Sequence, residues 1–385
     1  MRKIYLFLLL TLLMTGCKDD FSVSNLPDAK PKMVVYCMPS TADTTYITVL
    51  RSVPLKQYNA AQPNVLINDA TISYQLNGQS LPVTAVGQGR YYVVGQQKAG
   101  DKVHLQVEAQ GLETVESTTE IPQPVAISST STRMVRMKEY PSSYLRDFLQ
   151  VQATFTDPAQ SHDYYAVRVK IKRLMSCRID CFRRDIVGDF NEVATFFDYD
   201  NYLQVRQNEQ WDSVAVNYLL QEDDIPIYTA SEPLLNPLSD IDDDFDFSSD
   251  FYQDFYIFDD ATINGREYTL HLNVQPNTAL MNLSDEALKE MKERYGIEQG
   301  FIVEFYHLTP EYYRFLQALN DVSNNSLAQA GLSSIRTTYS NVLNGMGICA
   351  AYNLPKGTWV RFQKASGIQS SQRPHPQPLS EWRGE

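Results

Sequence analysis

Lys102-Val103-His104-Leu105-Gln106-Val107-Glu108 alternates polar and apolar side chains along its whole length. A period of two is what a strand with one buried face requires. The same pattern recurs on both sides. Upstream lie Met33–Cys37, ended by Pro39, then Thr45–Leu50, Ala70–Leu76 with an Asn77-Gly78 turn, and Gly89–Val94. Downstream, Glu113–Ile121 alternates again before Pro122 and Pro124. Six or seven short strands separated by turns in about ninety residues predict a β-sandwich, Ig-like or prealbumin-like, over residues 32–124.

The remainder reads as mainly β as well. Leu149–Phe155, Tyr164–Leu174, Tyr268–Val274 and Phe301–His307 have strand character, while 177–262 reads as irregular. Two short helices interrupt. Ser284 is placed to cap one, with Asp285 and Glu286 in its first turn and Gly296 at its end. Thr309 caps the other, with Pro310 in the first turn and an apolar stripe of Tyr312, Phe315, Leu316 and Leu319. Residues 125–365 are therefore expected to form a second β-rich, sandwich-like domain carrying an acidic insertion at 240–260. A polar, proline-rich tail follows from 366 to 385 and is expected to be disordered.

Bulk properties agree with two folded domains. The chain has 385 residues, 43% of them hydrophobic and 11% aromatic, which suits a globular protein too long for one small core. The net charge of −13 disfavours nucleic acid and anionic lipid head groups as partners.

The amino terminus carries an address. Met1-Arg2-Lys3 precedes an apolar run, Ile4–Met14, of about eleven residues, roughly half a bilayer span. Residues 1–16 read as a secretory signal peptide. Leu12-Leu13-Met14-Thr15-Gly16-Cys17 resembles a bacterial lipobox, which implies cleavage before Cys17 and acylation of that cysteine. Lys18-Asp19-Asp20 resembles the export signal that sends Bacteroidetes lipoproteins to the outer face of the outer membrane; the alternative is a solvated charged tether. Residues 17–31, with Pro27 and Pro31, then form a lipidated tether spanning about 20 Å.

Four further cysteines remain. Cys177 and Cys181, with three residues between them in an exported chain, are expected to form a disulfide of about 2 kcal/mol. Cys37 and Cys349 lie in apolar, strand-like surroundings and read as buried thiols.

Catalytic signals are sparse. His104, His271 and His307 sit in strand patterns and read as structural, and His162-Asp163, after Asp157-Pro158, reads as a solvated turn. No helical zinc pair and no Gly-x-Ser-x-Gly occurs. Asp240, Asp242, Asp244 and Asp246 cluster hard oxygens that calcium favours. The stretch fails the EF-hand pattern, with Phe245 where glycine is needed and Phe251 where the bidentate acid belongs. It reads first as a solvated acidic loop and second as a calcium site. Aromatics from Phe245 to Phe258 interleave with its acids, as in a half-buried strand or an exposed contact surface. Gly345 and Gly347 suggest a bulge or close approach before Ile348-Cys349-Ala350.

Several segments together resemble the Bacteroidetes lipoproteins of domain-of-unknown-function family 4249. They are Asn68–Ile72, Lys98–Val103, Ile263-Asn264-Gly265-Arg266-Glu267-Tyr268-Thr269-Leu270 and Tyr339–Tyr352. The family often has an aromatic residue where this chain has Cys349. The resemblance implies a cell-envelope accessory or binding role beside TonB-dependent outer-membrane transporters, with no chemistry attached. The expected function is a surface-exposed, non-enzymatic lipoprotein partnering such a transporter. Glycan or ligand capture ranks second, and hydrolysis third.

Overall fold

The computed structural model describes residues 29–54, 56, 65–138, 144–229, 231–235, 255–275, 280–324 and 339–360. The signal segment, Cys17 with Lys18, Asp19 and Asp20, the acidic residues Asp240 to Asp246, and the tail 366–385 lie outside the described residues. The chain divides into two units, the first made of residues up to Gln97, Asp101–Thr119 and Ser340–Ala350.

In the first unit two sheets face each other. One is ordered β17 (Met346–Cys349), β1 (Met33–Cys37), β2 (Thr44–Arg51), β6 (Arg90–Val94), β5 (Val83–Gly87). The other is ordered β4 (Gln79–Leu81), β3 (Thr71–Leu76), β7 (Lys102–Glu108), β8 (Val115–Glu120). The alternation in Lys102–Glu108 sends Val103, Leu105 and Val107 inward, where they meet Val35, Cys37, Ile47, Val49 and Tyr74. Tyr74 is fully buried, and its hydroxyl donates to Gln97 Oε1 at 3.1 Å while the Gln97 amide donates to Thr45 Oγ1 at 2.7 Å. The polar tip of the aromatic ring is thereby satisfied inside the core.

The sequence boundary at residue 124 misses one strand. β17, about 300 residues downstream, pairs in parallel with β1, Val35 opposite Gly347 and Cys37 opposite Cys349. Gly347 has φ +98°, and a Cβ there would lie 2.1 Å from the Val35 carbonyl oxygen. Only glycine allows this approach. Cys37 and Cys349 are buried free thiols, as the sequence suggests.

The second unit packs a three-stranded sheet, β15 (Glu267–Val274), β10 (Leu145–Thr156), β9 (Ile127–Lys138), against a larger one. The larger sheet is built on β11 (Tyr164–Arg184). That strand pairs with β12 (Phe190–Phe196), β13 (Ser213–Ile225), β14 (Tyr256–Asp259) and β16 (Gly300–Leu308); β18 (Tyr352–Asn353) and β19 (Thr358–Val360) pair with β16. Val151, Phe155, Leu270 and Leu272 from the first sheet meet Tyr165, Val167, Phe258 and Phe305 from the second. Phe155 is central, 4.6 Å from the Phe305 ring and 5.4 Å from the Tyr165 ring.

The stretch read as irregular is instead largely strand and helix. β11 continues to Arg184, followed by β12, α1 (Tyr199–Arg206) and β13. Its pairing shifts register near Leu174–Ser176 with β13 and at Cys181–Phe182 with β12. The first shift interrupts the period of two, with Leu174 inward out of step between Ile171 and Cys177. Cys177, Ile179 and Cys181 point into a second core with Tyr199, Tyr202, Leu203 and Met291.

The expected Cys177–Cys181 disulfide is absent, and both residues are buried free thiols. Residues four apart on one strand are separated by about 13 Å, well beyond the roughly 7 Å limit for a bridge.

The helices of the second unit follow their caps. α2 (Asp285–Tyr295) begins at Ser284, whose Oγ accepts from the Ala287 amide, and ends at Gly296 in the left-handed region. α3 (Pro310–Asn324) follows Thr309, whose Oγ1 accepts from the Tyr312 amide at 3.4 Å. Among the described residues no helix is long and apolar enough to cross a membrane, which says nothing of strands.

Candidate functional site

Three carboxylates gather at one edge of the second sandwich. Asp157 follows β10, Asp163 precedes β11 and Asp260 follows β14. The short segment between Asp157 and Asp163 carries the chain from one sheet to the other. The Asp260 amide donates to the Asp163 carbonyl at 3.1 Å, and the Asp157 amide to the Arg266 carbonyl at 3.0 Å. Strand pairing therefore fixes all three backbones. The β14–β15 turn closes over the crossover at Gly265, which has φ +69°; a Cβ there would sit 2.8 Å from Ala159 Cβ.

The side chains converge. Asp157, Asp163 and Asp260 are 3%, 6% and 0% exposed, and one carboxylate oxygen from each lies within 4.8 Å of the others. At that spacing two ionised carboxylates repel by roughly 3–4 kcal/mol for an effective dielectric constant near 20. The protein answers with donors. Asp157 Oδ1 accepts from the Tyr165 hydroxyl at 2.6 Å and Oδ2 from the Gly265 amide at 2.8 Å. Asp163 Oδ2 accepts from Ser161 Oγ at 2.7 Å, and Asp260 Oδ2 from the side-chain Nδ2 of Asn264 at 3.0 Å. Burial raises the Asp157 carboxyl above its ordinary value; the Tyr165 and Gly265 hydrogen bonds work against that shift, and the other two aspartates add to it.

Two histidines complete the cluster. His307, on β16, places Nδ1 2.6 Å from the Gln123 carbonyl and Nε2 3.0 Å from Asp163 Oδ1. A carbonyl only accepts, so Nδ1 carries its proton, and the Nε2 contact is a hydrogen bond when a second proton lies between ring and carboxylate. His162 is half-exposed, with Nδ1 2.5 Å from Asp260 Oδ1. That contact is out of line for a hydrogen bond, and the buried Oδ1 has no hydrogen-bond donor.

Chemically, the arrangement is not a nucleophile with its base. Ser161 donates to Asp163, and Asp163 lies between it and His307. Acyl transfer needs the imidazole between hydroxyl and carboxylate. What the site offers is a set of hard oxygens with imidazole nitrogen beside them, the donor set of a cation.

The residues singled out from sequence are placed as follows. Cys17, Lys18, Asp19, Asp20, Asp240, Asp242, Asp244 and Asp246 are outside the described residues. His104 lies on β7, Nδ1 3.7 Å from Glu116, and His271 lies on β15, Nδ1 3.6 Å from the buried Glu232. His307 is buried with hydrogen-bonded partners, as a structural histidine should be. The described end of the acid–aromatic alternation forms the half-buried strand β14, with Tyr256 and Phe258 inward and Phe255 beneath the Arg168 guanidinium at 4.8 Å. The reading of His162-Asp163 as a solvated turn holds only for His162. Asp163 is buried against Ser161 and His307, although residues 158–162 of the same loop are exposed. The clue in the sequence was the pair Asp157-Pro158 and Asn264-Gly265, acid and turn residues flanking strands on both sides.

Two sandwich-like units and a buried acid–histidine cluster define a β-rich protein. The chain belongs to the domain of unknown function family DUF4249, whose model matches residues 19–356. No curated protein and no solved structure matches it.

Proposed function

We propose that this chain is a surface-exposed lipoprotein of the outer membrane, held by acylated Cys17, that acts without catalysis as an accessory or binding partner of an outer-membrane β-barrel, a TonB-dependent transporter. The observation that carries the reading is the run from Ile4 to Cys17 followed by Lys18-Asp19-Asp20. Several buried acyl chains, at about 0.8 kcal/mol per methylene, hold a protein at a membrane. The broken order of Ser161, Asp163 and His307 supports a role without covalent chemistry. Capture through an affinity tag from detergent-solubilised outer membranes tests the partnership. A β-barrel protein in the eluate is expected, and its absence overturns the reading. Cys17→Ala releases the chain from the membrane fraction if the anchor is as described.

One observation favours glycan capture as a second reading. On the outer face of the first sheet, Tyr46 is 66% exposed and directly opposite Tyr92, with ring centroids 6.5 Å apart. An exposed ring beside a half-buried one suits stacking on a sugar face. Binding to a panel of neutral oligosaccharides that is lost in Tyr46→Ala separates this reading from the first.

A further inference from the structure

We propose that Asp157, Asp163 and Asp260 bind one divalent cation of the calcium type, at a site distinct from the acidic stretch Asp240–Asp246. Two observations meet here. The first is the convergence of three buried carboxylates, with one oxygen of each inside a 4.8 Å sphere of the others. The second is Asp260 Oδ1, an oxygen of a fully buried side chain that receives no hydrogen bond, although His162 Nδ1 lies 2.5 Å away.

An ionised carboxylate has about four lone-pair directions. The donors occupy two on Asp157, one on Asp163 and one on Asp260, with His307 Nε2 a second on Asp163 when a proton lies between them. Each carboxylate therefore keeps lone pairs for a further electrophile, and Asp260 Oδ1 has only the His162 Nδ1 contact. A cation satisfies that oxygen and replaces mutual repulsion with attraction. Carboxylate oxygens on three separate backbone segments suit calcium, which tolerates six to eight oxygens in flexible geometry and can complete its shell with water. Half-exposed His162 marks the side open to solvent. Mg²⁺, which demands a near-octahedral shell and dehydrates reluctantly, is the poorer fit. Because the three ligands come from the ends of β10, β11 and β14, the ion would join the two sheets of the second unit at one edge.

The test uses the full chain, stripped with chelator and dialysed. Calorimetric titration with CaCl₂ should give one ion per chain, with a dissociation constant in roughly the 10⁻⁴–10⁻³ M range of extracellular calcium modules. The melting temperature should rise with calcium and not with equimolar MgCl₂. Changing Asp240, Asp242, Asp244 and Asp246 together to asparagine should leave the binding intact, whereas Asp260→Asn should abolish it. The quadruple variant keeps the proposal falsifiable even if Asp260→Asn fails to fold. Loss of calcium binding in the quadruple variant overturns it, as does the absence of heat at millimolar calcium. A preference for Zn²⁺ over Ca²⁺ overturns the assignment of ion type.

Discussion

The Arg206 guanidinium holds the Glu290 carboxylate through two nitrogens, one of them at 2.7 Å, and so ties α1 to α2 across the second core. Glu290 is largely buried, and Arg206, aided by Arg294, holds its carboxyl below the ordinary value of 4.5. A lowered carboxylate pKa stabilises the fold above the unfolded value, and that contribution is lost as pH falls through the folded one. Arg206 keeps 31% of its side chain exposed, which weakens the pair by screening. Glu290→Gln should cost about 1–2 kcal/mol at pH 7. The gap between wild type and variant should narrow below pH 4.5. Urea unfolding at pH 7 and pH 3 measures it; a gap that does not change with pH would contradict the assignment.

Gly347→Ala should be far more damaging than Gly111→Ala. Both residues have positive φ, yet Gly111 has nothing within 4 Å of a built Cβ, while Gly347 meets the Val35 backbone. The left-handed backbone alone costs roughly 1–2 kcal/mol. Displacing β17 from β1 should raise the loss at position 347 to about 4 kcal/mol or more, the range reserved for severe backbone clashes. Thermal melts of the two variants, compared under one condition, decide the matter.

Tyr165→Phe removes one donor to buried Asp157 and leaves the ring packing unchanged. Leaving that carboxylate oxygen short of a partner should cost about 1–3 kcal/mol. Phe155→Ala, a few ångströms away, should cost about 3–5 kcal/mol through the cavity it opens. Chemical denaturation of both variants checks the order, and an undiminished stability for Tyr165→Phe would show that the hydrogen bond to Asp157 contributes nothing.

Cys177 and Cys181 should be unreactive in the native protein. Burial raises both thiols above their ordinary value, so little thiolate forms at neutral pH. Iodoacetamide at pH 8 should label neither until denaturant is added. Intact mass under non-reducing conditions should show both as thiols, and a two-dalton deficit traced to this pair would contradict the strand geometry.

Local chemistry made much of the fold legible. Strands with one buried face, such as β7, announce themselves by alternation, and α2 by Ser284 and Gly296. β11 stayed half hidden because its pairing shifts register near Leu174–Ser176, so the alternation that resumes in Cys177, Ile179 and Cys181 is cut off from that of Val167, Val169 and Ile171. The return of Met346–Cys349 to β1 and the burial of Asp157, Asp163 and Asp260 were illegible for a different reason. Both depend on partners about 100 residues or more away, and local composition carries no record of which distant segment will cover a loop. Polar residues beside Pro158 and Gly265 therefore read as solvent-facing turns.

The parallel pairing of β1 with β17 sets a timetable. A ribosome adding about 5–20 residues per second needs roughly 15–60 s to progress from Cys37 to Met346. Throughout that interval β1 has a bare flank of amide and carbonyl groups, the kind of edge that recruits stray strands. The amino-terminal sandwich is thus the first to emerge and among the last to be finished. A nascent chain of this design calls for a holding factor, or an export route that keeps it extended, until its last strand has been made.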